Sequence, residues 1–196
     1  MIPLFDLGNV IIRLDFTPFT DWIAREAGCD PSRIMPRLTT SSLWHEFEFG
    51  NIGGREFVRR IGDLYGVGLA QETFAHRFCA IFPGVVPGMN RLLGSLLDRG
   101  PVYCLTNTNK MHYDFLTKEF REMGAFTRVF ASHEIRMRKP WPGTFKAVAE
   151  WMEVPPQEVV FFDDVEANVI GARKAGMNAH LFEGAEQVER ILEDET

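Results

Sequence analysis

The feature that most constrains the fold of this chain is a run of four apolar residues followed directly by two acids, at residues 159–164 (VVFFDD). The β-branched and aromatic residues predict a strand buried on both faces. Residues 165–176 follow with helical periodicity and end at a glycine. Asp163 and Asp164 therefore stand in a strand-to-helix turn, where open α/β sheets bind their ligands. One aspartate could simply cap the helix, but capping leaves the other unexplained, so the pair favours a metal or catalytic role.

Strands and helices alternate along most of the chain. Further apolar runs predict strands near residues 2–5, 102–105, 128–131 and 179–182, with helices between them. This alternation predicts an α/β fold with a doubly wound, mostly parallel, Rossmann-like sheet. Residues 10–12 are expected to continue as an extended segment.

The pattern changes near the N-terminus, where helical periodicity and aromatic residues replace the alternation. We therefore expect an inserted all-helical cap subdomain over residues 15–83 and an α/β core domain formed by residues 1–14 and 84–196.

Three aromatic residues of the helical insert, Trp44, Phe47 and Phe49, precede a glycine-rich turn at residues 50–54. We expect them to form a wall and a hinge over the site, excluding water as a lid does. Trp44 could also stack against a sugar. An aromatic stripe at helical spacing is more often core, and Phe57, Phe74 and Phe78 are expected to be core residues.

Composition narrows the classes of partner. The 196 residues are 45% hydrophobic, enough for a core, and the formal net charge of −6 argues against nucleic acid or an anionic membrane surface as the main partner. The three cysteines have no metal-type spacing, and no apolar run reaches membrane-spanning length. We expect a cytoplasmic protein; the sequence indicates no oligomeric state.

The strand ends predict one site. In a parallel sheet all carboxyl ends share an edge, which would bring together Asp6, Thr106 with Asn107, and Asp163 with Asp164, within reach of the loop that carries Lys139. Three carboxylates in one crevice favour a hard cation with oxygen ligands, and Mg²⁺ is the natural candidate. A hydroxyl, turn N–H groups and a lysine suit phosphate oxygens, which leaves one aspartate free to attack phosphorus.

Each of these residues also has an ordinary structural interpretation. Asp6 could form an Asx turn, Thr106 and Asn107 could be turn residues, and Lys139 could be a solvated loop lysine. The order Asp, Thr, Lys and Asp-Asp, each at or beyond a strand end, favours the functional interpretation.

Four segments resemble the four motifs of the haloacid dehalogenase-like hydrolases, in order and over nearly the whole chain. They are residues 5–10 (FDLGNV), 105–107 (LTN), 138–140 (RKP) and 161–168 (FFDDVEAN), and the helical insert stands where the C1-capped members of this family have their cap.

The resemblance implies a Mg²⁺-dependent phosphatase acting on a small-molecule phosphate ester such as a sugar phosphate. Asp6 would be the nucleophile that forms an aspartyl-phosphate, and it would bind Mg²⁺ together with Asp164 and the Gly8 carbonyl. Asp163 would support or join this metal site. The phosphate oxygens would be held by Thr106 and the Asn107 backbone, and Lys139 would bridge the phosphate and Asp6.

One position departs from the commoner pattern of the family. Many phosphatases of this family have a second aspartate two residues after the nucleophile, which protonates the leaving group, and here that residue is Gly8. General acid–base catalysis contributes roughly 10²- to 10⁴-fold. Either the leaving group is good, as an anomeric phosphate would be, or another group substitutes; the available candidates are Asp15, His45, Glu46 and Glu48.

Two alternatives remain open at this stage. A 2-haloacid dehalogenase would use an equivalent aspartate on carbon without a metal, but Asp163 and Asp164 would repel its carboxylate substrate. A non-catalytic relative could keep the metal and bind a phosphate ligand, having lost the chemistry with the acid at position 8.

Overall fold

The structure is a computed structural model, and it describes residues 1–194. Five strands form one sheet: β1 (Ile2–Phe5), β2 (Tyr103–Thr106), β3 (Arg128–Ala131), β4 (Val159–Asp163) and β5 (Asn178–Leu181). Their order is β3-β2-β1-β4-β5, and all neighbours pair in parallel. The prediction of a parallel, Rossmann-like α/β fold is confirmed.

The described helices connect the strands and fill the N-terminal insert. They are α1 (Thr17–Ala27), α2 (Ile34–Thr39), α3 (Ser42–Glu48), α4 (Gly54–Tyr65), α5 (Gln71–Cys79), α6 (Met89–Leu97), α7 (Lys110–Glu119), α8 (Ser132–Ile135), α9 (Pro142–Trp151), α10 (Glu166–Lys174) and α11 (Ala185–Asp194). Short 3₁₀ helices span Pro31–Arg33, Arg121–Ala125 and Pro156–Glu158. Along residues 1–194, no helix is long and apolar enough to cross a bilayer.

The two faces of the sheet carry separate apolar clusters, because successive side chains of a strand point to opposite faces. Phe162 belongs to the cluster that α6 and α11 cover, whereas Phe161 belongs to the cluster that α9 and α10 cover. Both phenylalanines are completely buried, as are the two valines that begin β4. The first four residues of β4 are therefore apolar because both faces of this strand are covered.

A third apolar cluster belongs to helices α1–α5. Its fully buried members lie between Phe19 and Ile81, and aromatic rings dominate it: Phe57 stacks on Phe47 with centroids 4.0 Å apart, and Phe74 and Phe78 lie 5.2 Å apart. The expectation that Phe57, Phe74 and Phe78 are core residues is correct. The expectation that Phe47 forms a wall over the site is wrong, because its ring is buried in this cluster.

Residues 10–12 also differ from expectation. The N–H groups of Ile11 and Ile12 both donate to the Leu7 carbonyl, so the segment is a tight turn with only isolated bridges at Ile12. All three side chains are completely buried. The residues are apolar because they fill the core beneath the site, and burial in a turn gives the same composition as burial in a strand.

Candidate active site

The carboxyl ends of three neighbouring strands meet at one edge of the sheet. Asp6 follows β1, Thr106 ends β2 and Asp163 ends β4. The Asp6 N–H donates to the Phe162 carbonyl at 2.9 Å, which continues the β1–β4 ladder and fixes the Asp6 backbone beside Asp163. The topology thus brings together side chains that are far apart in the chain.

Lys139 lies between two of these acids. Its Nζ is 2.6 Å from Asp6 Oδ1 and 2.6 Å from Asp163 Oδ2, and its side chain is almost fully buried. A buried ammonium is tolerated only where anions compensate it, and here two carboxylates do so. Lys139 is therefore a fixed part of the acid cluster and not a solvated loop lysine.

Asp163 is saturated with hydrogen bonds. Its Oδ1 accepts from the Val165 N–H at 2.8 Å and from Asn168 Nδ2 at 2.9 Å. Its Oδ2 accepts from Lys139 Nζ and from Asn168 Nδ2 at 3.0 Å. Both carboxylate oxygens are engaged, so this side chain is well placed to hold Lys139 in position.

Asp164 is less enclosed and is held by Asn9. Asn9 Nδ2 donates to Asp164 Oδ2 at 3.2 Å, while Asn9 Oδ1 accepts from the Leu14 N–H at 3.0 Å. The Asn9 backbone is left-handed, with φ of 54°, a conformation that asparagine tolerates better than most residues. The turn after β1 thereby aims an amide at the second acid.

The three acids could hold one metal ion. Asp6, Asp163 and Asp164 each offer a carboxylate oxygen, and these oxygens lie within 4.8 Å of one another. A cluster of hard oxygen donors fits Mg²⁺ better than a metal that prefers nitrogen or sulfur. The donor set therefore fits the ion that the sequence predicts.

Burial shifts the protonation equilibria of this cluster. Desolvation raises the pKa of Asp6 above its ordinary value, against the opposing effect of the Lys139 ammonium. Burial would lower the pKa of Lys139, but its contacts with Asp6 and Asp163 outweigh burial and raise it. The 2.6 Å contacts favour the ion pair over the neutral forms. Desolvation also raises the pKa of Asp164. A divalent cation would favour the charged form of each carboxylate.

Asn107 has a contact that the sequence did not predict. Its Nδ2 donates to the Lys139 carbonyl, its Oδ1 accepts from the Lys139 N–H, and both distances are 3.0 Å. The side chain of Asn107 therefore fixes the loop that carries Lys139.

A cavity of about 340 Å³ opens over the acids. Asp6, Gly8, Thr106, Asn107, Lys139 and Asp164 line one part of it. Helix α3 contributes Trp44 and Glu48 to the opposite part. Apolar side chains complete the wall, among them Leu14, Phe16, Ile81 and Phe82. Trp44 thus lines the same cavity as the acids, whereas Asp163 is completely buried beneath it.

Leu14 takes up the space beside Gly8. A Cβ atom at position 8 would lie 2.7 Å from Leu14 Cδ1, closer than side-chain carbons pack. The absence of an acid at this position is therefore matched by an apolar side chain that fills the space.

Of the four candidates to replace the missing acid, Glu48 alone lines the cavity. Asp15 is exposed and accepts a hydrogen bond from the Thr17 N–H at 2.9 Å, which holds the start of α1. Glu46 pairs with Arg60 at 3.0 Å, and His45 is exposed. The buried Glu48 pairs with Arg138, with Nη2 and Oε2 2.5 Å apart.

A model of the haloacid dehalogenase-like hydrolases matches residues 4–176. The chain belongs to this family. The match includes every residue of the acid cluster and both walls of the cavity, and it confirms the resemblance of the four motifs.

Relatives with known activities are similar at modest identity. The D-ribitol-5-phosphate phosphatase of Bacteroides thetaiotaomicron is 25% identical over 180 residues, covering 88% of this chain and 87% of the relative. The drimenol cyclase drtB of Aspergillus calidoustus is 27% identical over 96% of this chain, but the chain spans only 35% of that protein's length.

Solved structures of the family share the fold closely. A HAD family enzyme of Bacteroides thetaiotaomicron, in complex with magnesium and inorganic phosphate, superposes with a TM-score of 0.83 at 26% identity, covering 93% of both chains. A predicted HAD-like hydrolase from Porphyromonas gingivalis has a TM-score of 0.83 at 23% identity over 98% of both chains, and at that identity the likeness concerns the fold alone.

Sequence reasoning missed several supporting residues. Asn9 and Asn168 lie inside the quoted motifs but had no role assigned, although an asparagine in the first turn after an acid is a signal for a side-chain hydrogen bond. The partnership of Glu48 with Arg138 had no such signal, because the two residues are close only in the folded chain.

Proposed function

We propose that this protein is a Mg²⁺-dependent phosphatase of small phosphomonoesters, such as a sugar or polyol phosphate, with Asp6 as its nucleophile. The observation that carries the proposal is the convergence of Asp6, Asp163 and Asp164 around one point, with Lys139 held 2.6 Å from two of them. A relative that acts on a sugar-alcohol phosphate and a neighbour crystallised with magnesium and phosphate support it.

The proposed roles follow from the contacts. An Asp6 oxygen attacks phosphorus, the P–O bond to the leaving group breaks, and the departing alkoxide takes a proton from water. A second water then hydrolyses the aspartyl-phosphate to free Asp6 and inorganic phosphate. Lys139 orients Asp6 and offers positive charge to the phosphoryl oxygens. The Thr106 hydroxyl and the Asn107 N–H hold further phosphoryl oxygens.

Asp6, Asp164 and the Gly8 carbonyl are the proposed Mg²⁺ ligands. When bound, the ion would reduce the repulsion between the Asp6 carboxylate and the phosphate dianion. Asp163, whose oxygens already accept four hydrogen bonds, is better suited to supporting Lys139 than to binding the metal.

We further propose that residues 15–83 form the cap and that residues 1–14 and 84–196 form the catalytic domain. The separate apolar cluster of helices α1–α5 supports this division. The position of Trp44 and Glu48 in the cavity wall suits a cap that selects the leaving group.

The nucleophile is tested by Asp6→Asn. We expect turnover of an aryl phosphate to fall by about 10⁴-fold or more, because the attacking oxygen is lost. Asp15→Asn is the matched control, since Asp15 is exposed and outside the cavity wall. Circular dichroism checks that both variants fold, and activity retained by Asp6→Asn would remove this mechanism.

Metal removal separates the remaining alternatives. A chelator should abolish phosphate release and added Mg²⁺ should restore it. Halide release from a haloacid that persists with chelator would instead identify a dehalogenase. Binding of phosphate esters without turnover over a broad panel would identify a non-catalytic relative.

A further inference from the structure

Helix α3 brings a carboxylate into the cavity wall. Glu48 is the last residue of the helix, is 6% exposed, and lines the same cavity as Asp6 and Lys139. Its backbone carbonyl accepts a hydrogen bond from Ser132 Oγ at 2.8 Å, which ties the end of α3 to the segment after β3. The position of the carboxylate is therefore fixed from both its backbone and its side chain.

Arg138 compensates this carboxylate. Its guanidinium lies 2.5 Å from Glu48 Oε2 and over the Phe49 ring at 5.7 Å. Arg138 directly precedes Lys139, so the two cations of the cavity wall are neighbours in the chain and serve different carboxylates. Removing either member of such an enclosed pair would leave the other charge without a partner.

Among the described residues of the cavity wall, each permanent cation already faces a carboxylate of the protein itself. Among the described residues that line the cavity, the permanent cations are Arg138 and Lys139. Lys139 already contacts two aspartates, and Arg138 is paired with Glu48. The Lys139 ammonium and a bound Mg²⁺ serve the phosphoryl group that is transferred.

His112, a further residue of the cavity wall, adds no positive charge to the cavity. His112 also lines the cavity, but its Nε2 faces the Phe78 carbonyl at 3.1 Å and its Nδ1 faces the Asn109 amide at 3.1 Å. The carbonyl can only accept, so Nε2 carries the proton and Nδ1 accepts, which is the neutral form.

We propose that Glu48, by occupying Arg138, restricts this enzyme to phosphate esters whose leaving group is uncharged. The inference rests on the proposed phosphatase function and names the substrate class of that site. A leaving group with a carboxylate or a second phosphate would face the Glu48 carboxylate, and the cation beside it is already compensated by that carboxylate. A neutral, hydroxyl-bearing leaving group could instead donate a hydrogen bond to the same carboxylate.

The wild-type protein provides the first test. Hydroxyethyl phosphate and phosphoglycolate have leaving groups of similar size that differ by one carboxylate. In the presence of Mg²⁺ we expect kcat/KM to be about tenfold or more higher for the neutral ester, because like charges in an enclosed site repel strongly. Equal kcat/KM values for the two esters would overturn the inference.

Glu48→Gln provides the second test. The substitution keeps the size of the side chain and frees the Arg138 guanidinium, so the preference for the neutral ester should shrink by about tenfold or more. Glu46→Gln, which removes a surface carboxylate of the same helix, should leave the preference unchanged. An equal fall in kcat on both esters would assign Glu48 to folding or proton transfer and would overturn selectivity.

A third variant covers the case in which Glu48→Gln does not fold. Arg138→Lys keeps a cation beside Glu48 and therefore a charged carboxylate, so the preference for the neutral ester should be retained. A decrease would contradict the proposed role of Glu48. If the wild type turns over neither of the two esters, selectivity is measured as their Mg²⁺-dependent binding by calorimetry; the phosphatase proposal fails separately, when no ester of a broad panel is hydrolysed.

Discussion

The two sides of the cavity consist of different kinds of side chain. On the sheet side, Lys139, Asp6 and Asp163 form a buried network in which both Asp163 oxygens are saturated with hydrogen bonds. On the helical side, Trp44 and its apolar neighbours surround a single ion pair of Glu48 with Arg138. A buried polar network is rigid and fails when one member is lost, whereas an apolar wall tolerates exchange. Under the proposed function, the chemistry would depend on the sheet side and the choice of leaving group on the helical side.

The strongest test of this contrast is Lys139→Met. Removing a buried cation leaves two carboxylates in contact without compensation, so we expect a loss of about 3–5 kcal/mol in the free energy of unfolding. Turnover should fall by about 10³-fold or more, because both Asp6 and the phosphate lose their cation. Urea unfolding and aryl phosphate turnover measure the two effects. Lys110→Met is the control, because Lys110 forms an exposed i,i+4 pair with Asp114, and it should change neither stability nor turnover. Equal effects at both positions would contradict the special role of the buried network on the sheet side.

The next prediction concerns the pH dependence of stability that His112, a buried residue of the cavity wall, should cause. Burial lowers its pKa to about 3, against the weaker opposing effect of the Phe78 carbonyl. The unfolded chain takes up a proton below the ordinary pKa of 6.5 while the native chain does not, so native stability falls as the pH falls from 6.5 towards 3.

Near pH 4 this effect should amount to about 3 kcal/mol. In His112→Gln, which can keep both hydrogen bonds, the acid-side decline of the urea midpoint should be shallower than in the wild type. His76→Gln, at an exposed position of α5, is the control. Parallel pH profiles for wild type and His112→Gln would show that His112 titrates normally.

Gly8→Asp tests how far the sheet side accepts change. An added carboxylic acid next to Asp6 could protonate the leaving group, and we expect kcat on alkyl phosphates to rise by roughly 10- to 100-fold. Aryl phosphates, whose leaving groups need little protonation, should gain much less. Gly8→Asn has the same size without the acid and should show no gain. Because a side chain at position 8 meets Leu14, Gly8→Asp is also made with Leu14→Ala, and no gain in either background would contradict a role for protonation.

The smallest effect is expected at Trp44. Loss of its aromatic face in Trp44→Leu should raise KM for a sugar phosphate by roughly 2- to 10-fold with little change in kcat, since an aromatic contact contributes about 0.5–1.5 kcal/mol. Trp151→Leu removes an equally large ring from the opposite end of the fold, against Phe130, and should leave KM unchanged. A change in kcat at constant KM would place Trp44 in the chemistry instead.

The positions of the strands along the chain and of the acids at their ends could be predicted because these signals are local. Residues 159–164 show an apolar run, two acids and the start of a helix within a few positions, and the same logic places Asp6 after β1. Residues 10–12 were predicted to be extended but form a turn, because composition reports burial and not backbone direction. Phe47 was predicted to lie in the wall over the site but is buried in the core of the helical insert, since helical spacing does not say which side of a helix meets its neighbours.

By itself the sequence determined the α/β fold, its family, and which residues could supply a nucleophile, a metal site and a phosphate-binding lysine. Only the tertiary structure decided that Asp163 supports Lys139 through saturated oxygens, that Leu14 occupies the space beside Gly8, and that Glu48 meets Arg138. The physical reason is the distance along the sequence over which each feature is determined. Strand ends and turns are set by neighbouring residues, whereas the partner of a buried charge is set by the packing of helix α3 against a loop far along the chain.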